Sequence, residues 1–197
     1  MKRNAPATER NRDPILAVLQ HYLPARGTLL EIACGTGEHA SYFAPRFPGL
    51  TWQPTDQDMA ALESTTHWVA DSEAPNLKPP LRLDVRETPW PVEAADAIFC
   101  ANMIHISPWA CGLALIEGAG RILPSGGLLI LYGPFMIDGR HTAPSNEQFD
   151  GWLKAQSPAW GVRDLGVVNA ETAKAGLDPV QTIQMPANNL TVVWRKR

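Results

Sequence analysis

The segment Leu29 to Ala40, LLEIACGTGEHA, concentrates the residues whose types and spacing can do chemistry. An apolar run leads to Glu31, and Gly35-Thr36-Gly37 then opens toward a helix. A strand that turns through glycines into a helix start brings backbone N–H groups against a ligand. Glycine serves there because a Cβ would hold the ligand off and because such turns use positive φ. Gly35, Gly37 and Ala40 satisfy the loose G-x-G-x-x-G/A spacing, which also describes dinucleotide-binding loops. The charges are more informative. Glu31 stands near the end of the strand and Glu38 in the first helical turn, while no Lys or Arg occurs from Gly27 through Pro45. Carboxylates around such a loop repel a pyrophosphate and suit a ligand that carries an ammonium and a sulfonium. The plainer alternatives are that Glu38 complements the helix dipole and that Glu31 faces solvent.

The E-x-A-C-G-T-G segment resembles motif I of the class I S-adenosylmethionine-dependent methyltransferases. The first glycine of the usual E/D-x-G-x-G-x-G is Ala33 here, a change of one methyl group. The resemblance implies S-adenosylmethionine as cofactor and places Glu31, Ala33, Cys34, Gly35 and Gly37 around it. Over nearly its full length the chain is also similar to a narrower family of short methyltransferase-like proteins, classed as a domain of unknown function. ATERNRDPIL, WQPTD, NMIHISPW, LYGPF, the residues from Ser145 to Trp152, and MPANNL carry that similarity. The family supplies a cofactor but no acceptor.

In an open α/β sheet, ligands lie across the carboxyl ends of the strands, so the other contacts are expected there. The second strand ends at Thr55-Asp56-Gln57, and Asp56 lies 19 residues beyond Gly37. A carboxylate so placed can accept both ribose hydroxyls, with Gln57 beside it. Asp58 is equally placed to cap the next helix. At the end of the third strand, Asp84 can accept from the adenine amine while the Val85 N–H meets a ring nitrogen. At the end of the fourth, Asn102 offers a donor and an acceptor toward the methionine part. Asn102 and His105 are the catalytic candidates, His105 as a general base or substrate ligand. A lone His between Ile104 and Ile106 also fits a hydrogen-bonded structural role. Near the N-terminus, Arg10 can reach the cofactor's carboxylate, in a segment that either folds over the site as a lid or frays. Tyr132, Phe135, Asn146 and the turn Pro186–Asn189 are candidates for the wall of an acceptor pocket.

Alternating strands and helices must position these residues. Apolar spacing predicts a helix starting at Asp13-Pro14, then strands over Thr28 to Ile32, Leu50 to Thr55, Leu81 to Val85, Ala95 to Met103 and Leu128 to Tyr132. Helices are expected from Glu38 to Phe47, from Met59 to Ala70, along Trp109, Leu113, Ile116 and Leu123, along Phe149, Trp152 and Leu153, and from Asn169 to Gly176. Gly133 to Pro144 reads as loop. Val180 to Met185 and Leu190 to Arg195 read as an antiparallel pair closing the sheet. The expected fold class is α/β, a Rossmann-like three-layer sandwich whose seven-stranded sheet is mostly parallel with an antiparallel C-terminal strand. One domain over residues 1–197 accounts for every element.

Composition narrows the function classes. A formal charge of −3 and a pI near 5.9 give no footprint for nucleic acid. Cys34, Cys100 and Cys111 lack C-x-x-C spacing, which speaks against a disulfide framework or a zinc site and for reduced thiols in a cytoplasmic protein. No apolar stretch is long enough to span a bilayer. The expected enzyme is a methyltransferase with a small-molecule acceptor. A methyltransferase-shaped binding module remains an alternative. An NAD-dependent reductase is another, although no Tyr-x-x-x-Lys pair is present.

Overall fold

The computed structural model describes residues 1–197 and forms two compact units, Met1–Cys100 and Ala101–Arg197. In the first unit, helix α1 (Pro6–Tyr22) precedes strand β1 (Gly27–Ile32), helix α2 (Glu38–Phe43) and a 3-10 turn (Ala44–Arg46). Strand β2 (Leu50–Asp56), helix α3 (Met59–Ala70), strand β3 (Leu81–Arg82) and strand β4 (Ala97–Ala101) follow. The second unit contains α4 (Trp109–Ile122), β5 (Leu128–Gly133), β6 (Phe135–Ile137), β7 (Arg140–His141) and α5 (Pro144–Gln156). It closes with β8 (Arg163–Asp164), α6 (Leu165–Lys174), β9 (Leu177–Met185) and β10 (Asn189–Lys196).

Seven strands form a sheet in the order β3-β2-β1-β4-β5-β10-β9. β1 runs parallel to β2 and β4, whereas β10 is antiparallel to both β5 and β9. This is the expected mostly parallel sheet with one reversed C-terminal strand. The parallel strands are apolar because they are covered on both faces: β5 is buried at every position, and Leu29, Leu30, Ile32, Ile98 and Phe99 are at most 2% exposed. In the first unit an aromatic cluster fills the space under α2, with Phe43 at 5.7 Å from Trp52 and 6.0 Å from Phe99 between ring centres. In the second, Trp194 is fully buried and its indole N–H donates to Asn169 at 2.8 Å.

Four expectations need correction. The first helix begins at Pro6, so Pro14 lies inside it and the segment around Arg10 is helical rather than frayed. Proline is well placed at a helix start, and the start that matters is Pro6. Asp164 caps α6, accepting from the Gly166 N–H at 2.8 Å, so the helix starts before Asn169. The loop after Gly133 contains β6 and β7, which join β8 in a small three-stranded sheet too short to show a period of two. Finally, Trp152 is 54% exposed; Asn146, Asp150 and Leu153 form the buried face of α5. No helix is long and apolar enough to cross a membrane.

Candidate functional site

After Ile32 the chain leaves the sheet through three left-handed residues, Ala33 (φ 55), Gly35 (φ 59) and Gly37 (φ 84). The Cys34 N–H donates to the Thr55 carbonyl at 2.9 Å, and the Gly35 N–H donates to Asp56 Oδ2 at 2.9 Å. The loop is thereby fastened to the end of β2 from both sides of its turn. The two glycines have different reasons. A Cβ on Gly37 would lie 2.6 Å from the Thr65 Cα, so Gly37 lets α2 and α3 pack closely. A Cβ on Gly35 would meet nothing within 4 Å, so the loop faces open space there. Ala33 in the left-handed region bears strain of about 1 kcal/mol, making the Gly-to-Ala departure more than an added methyl.

Two buried carboxylates stand behind this loop. Glu31 is 2% exposed and its Oε2 accepts from the Trp52 indole at 2.6 Å. Burial pushes its pKa up to about 8, against the pull of the Trp52 bond, and the charge of Asp56 adds to the rise. Its second oxygen takes no protein donor. The solvent-facing alternative for Glu31 is therefore excluded. Asp56 is 7% exposed, with Oδ1 accepting from the Asp58 N–H at 2.9 Å and Oδ2 from Gly35. Burial raises its pKa while those backbone donors oppose the rise. A carboxylate has about four lone-pair sites, so two bonds leave capacity for hydroxyl donors. Gln57 beside it is exposed.

Cys34 is buried, with Sγ 3.4 Å from Thr65 Oγ1, and burial together with the nearby Glu31 charge drives its thiol pKa upward. Its thiol is part of the loop's packing, and its carbonyl accepts from the Gly37 N–H at 3.1 Å. Val85 is buried, its carbonyl accepts from the Trp90 indole at 3.1 Å, and its N–H has no protein acceptor. Asp84 departs from expectation: Arg86 grips it at 3.0 and 2.6 Å, lowering its pKa, so its oxygens are already engaged by a cation. Arg10 is exposed. Arg12, two residues further along the helix, is the guanidinium that faces α2, 4.5 Å from the centre of the Tyr42 ring.

The candidates in the second unit are differently placed. Asn102 has φ 62, and its N–H donates to the Tyr132 carbonyl at 2.8 Å. His105 is fully buried, Nδ1 accepts from the Arg163 N–H at 3.2 Å, and its ring meets Phe135 edge-on at 4.8 Å. Burial holds its pKa down to about 3, with the Arg163 charge acting in the same sense. The ring has no accessible surface, and its Nε2 is buried against Gly133 without a hydrogen-bond partner. Phe135 and Tyr132 are 0% and 4% exposed, and the Asn146 amide is engaged with Thr142 Oγ1 and the Asn188 carbonyl at 3.0 and 2.9 Å.

The first unit's residues fit an adenosyl amino acid on three counts: open space at Gly35, a free N–H at Val85, and carboxylate oxygens without donors. They offer a dinucleotide's pyrophosphate no cationic side chain, since no Lys or Arg stands from Gly27 through Pro45.

Many solved structures with this fold are methyltransferases. An O-methyltransferase family 2 protein from Planctomyces limnophilus, in complex with apigenin, superposes with a TM-score of 0.82 at 19% identity, covering 97% of this chain and 58% of that one. This chain thus spans little more than half the length of that structure. A putative sarcosine dimethylglycine methyltransferase from Galdieria sulphuraria gives 0.78 at 14% identity, covering 96% and 86%. A putative methyltransferase structure in complex with the Haloferax volcanii Trm112 activator gives 0.76 at 14% identity, covering 95% and 91%. At these identities the likeness establishes the class I methyltransferase fold. The family described as "Protein of unknown function (DUF938)" matches residues 2–196, and the chain belongs to it.

Proposed function

We propose that the protein is an S-adenosylmethionine-dependent methyltransferase acting on a small molecule. One observation carries the reading. At Gly35 the backbone fronts open space inside a turn backed by two buried carboxyl groups, and no Lys or Arg stands between Gly27 and Pro45. A turn without a cationic side chain suits a cationic amino acid joined to adenosine better than a pyrophosphate, and the ligand's ammonium would draw Glu31 into its ionised form.

In this reading Asp56 accepts from the ribose hydroxyls and the Val85 N–H donates to the adenine ring. The backbone of Ala33 to Gly37 follows the amino-acid end, and the unpartnered Glu31 oxygen faces its ammonium. Bound there, the cofactor supplies an activated methyl group. The protein's part is then to hold an acceptor lone pair in line with that methyl and to exclude water. Asp84 contributes only after releasing Arg86, and His105 contributes packing alone.

Calorimetric titration tests the proposal. Saturable heat with S-adenosylhomocysteine and none with NADH is expected. The reverse pattern would make the protein a dinucleotide-dependent enzyme.

A further inference from the structure

The first unit contains a cavity of about 340 Å³ between the start of α1, the start of α2 and the far turn of α3, lined by Asn4, Glu9, Arg12, Glu38 and Trp68 among others. Its charges are not neutralised by one another. No ion pair joins Arg12 to Glu9 or Glu38, and the Arg12 Nε is shielded from water with no hydrogen-bond partner. Buried donors are ordinarily satisfied, so an orphaned guanidinium nitrogen beside a cavity calls for an acceptor from outside the chain. Glu38, 9% exposed, gives one oxygen to the Ala5 N–H at 3.0 Å and leaves the other without a donor.

The roof of this cavity is the N-terminal strap. The Arg3 N–H donates to Ser64 Oγ at 2.9 Å, the Trp68 indole donates to the Arg3 carbonyl at 3.1 Å, and Ser64 in turn donates to the Thr36 carbonyl of the glycine loop at 2.8 Å. The cavity and the loop are therefore joined through one hydrogen-bonded chain, and Glu38 directly follows Gly37 in sequence.

We infer that this cavity is the acceptor pocket and that its ligand is a small zwitterion of amino-acid type. The ligand's carboxylate pairs with Arg12, and its amine lies between Glu9 and Glu38. The inference rests on the methyltransferase reading. A carboxylate fork suits the planar guanidinium. Two carboxylates opposite it suit an ammonium, and the volume lies at the lower end of small-molecule sites. Transfer forms one N–C bond and breaks the methyl C–S bond, whose electron pair stays on sulfur. The ammonium proton passes to Glu38 before the nitrogen lone pair attacks.

The test uses the full chain saturated with S-adenosylhomocysteine. It is titrated with each common amino acid, the matching amide and the matching N-acetyl derivative. At least one amino acid should bind about tenfold more tightly than both of its derivatives. Arg12→Leu should abolish that preference for the carboxylate, and Glu38→Gln that for the amine, while each leaves S-adenosylhomocysteine affinity within about twofold. Equal binding of all three forms, or none of any, overturns the acceptor assignment alone. Loss of S-adenosylhomocysteine affinity in Arg12→Leu also overturns it, by making the cavity the cofactor's own amino-acid end. Absence of S-adenosylhomocysteine binding to the unaltered chain overturns the methyltransferase reading, and the assignment with it.

Discussion

The two units bury polar side chains for opposite ends. In Met1–Cys100, Glu31 and Asp56 anchor the glycine loop yet keep unpartnered lone pairs, and Arg12 and Glu38 keep unpartnered atoms beside a cavity. In Ala101–Arg197 the charged groups are consumed in holding backbone, and the atoms left over, His105 Nε2, His141 Nδ1 and Thr191 Oγ1, are shut inside the fold without a partner. Asp150 accepts from the Val162 N–H and from Lys154 at 2.8 and 2.6 Å, which outweigh its burial and hold its pKa low. The Arg163 guanidinium caps the Ile104, Ser107 and Ala159 carbonyls at 2.9, 2.7 and 3.0 Å. Burial alone therefore does not mark a functional residue. Unspent bonding capacity facing open space does.

The sharpest way to break this contrast is to remove a buried group from each unit. His105→Ala should cost about 3–4 kcal/mol of stability, because an aromatic-sized core side chain disappears and the Arg163 N–H loses its acceptor. Chemical denaturation reads that loss. Calorimetry on the folded variant should find S-adenosylhomocysteine affinity unchanged, and a large drop would return His105 to the site.

Glu31 should show itself through pH. Its pKa is about 8 in the folded chain against 4.5 in the unfolded one, so the folded state holds the extra proton. Stability then falls as pH rises from 4.5 toward 8, by at most about 1.4 kcal/mol per unit. His39 and His105, held down to about 4 and 3 by burial, act oppositely, and their contribution is lost as pH falls below 6.5. Glu31→Gln keeps an acceptor for the Trp52 indole and isolates the carboxyl. Its stability relative to wild type should climb by about 3–4 kcal/mol between pH 5 and 8. A difference that does not change with pH would mean that Glu31 is ionised in the fold.

Asp56→Ala should weaken S-adenosylhomocysteine binding by about 1.5–3 kcal/mol, since charged hydrogen bonds to the ribose and the Gly35 anchor go together. An unchanged affinity would remove Asp56 from the site. The smallest effect is at Ala33. Replacement by glycine should raise stability by about 1 kcal/mol by relieving a left-handed alanine, and a thermal melt showing a loss would contradict the strain assigned there.

The frame was legible because its signals are local. Apolar runs gave the parallel strands, Met59 to Ala70 was read to the residue, and Pro186–Asn189 separated the antiparallel pair. The glycine loop and Asp56 were legible because positive φ and close approach demand particular residues. Other features depend on partners distant in sequence. Nothing near Asp84 in the pattern says that Arg86 folds back onto it rather than outward. His105 reads as a base until Arg163, 58 positions later, is seen to donate to it. Arg10 and Arg12 both precede the helix start expected at Asp13-Pro14. With the helix starting at Pro6, the two arginines point to different sides. The strands β6 to β8 span two or three residues each, too few for any period.

The central claim is that ligand chemistry resides in the glycine loop of the first unit. Backbone amide resonances followed during titration with S-adenosylhomocysteine test it most directly. Saturable shifts at Gly35, Thr36 and Val85, together with the Trp52 indole N–H bound to Glu31, are the predicted result. Those four signals standing still while the protein binds the compound, or no binding by well-folded protein, would contradict the account.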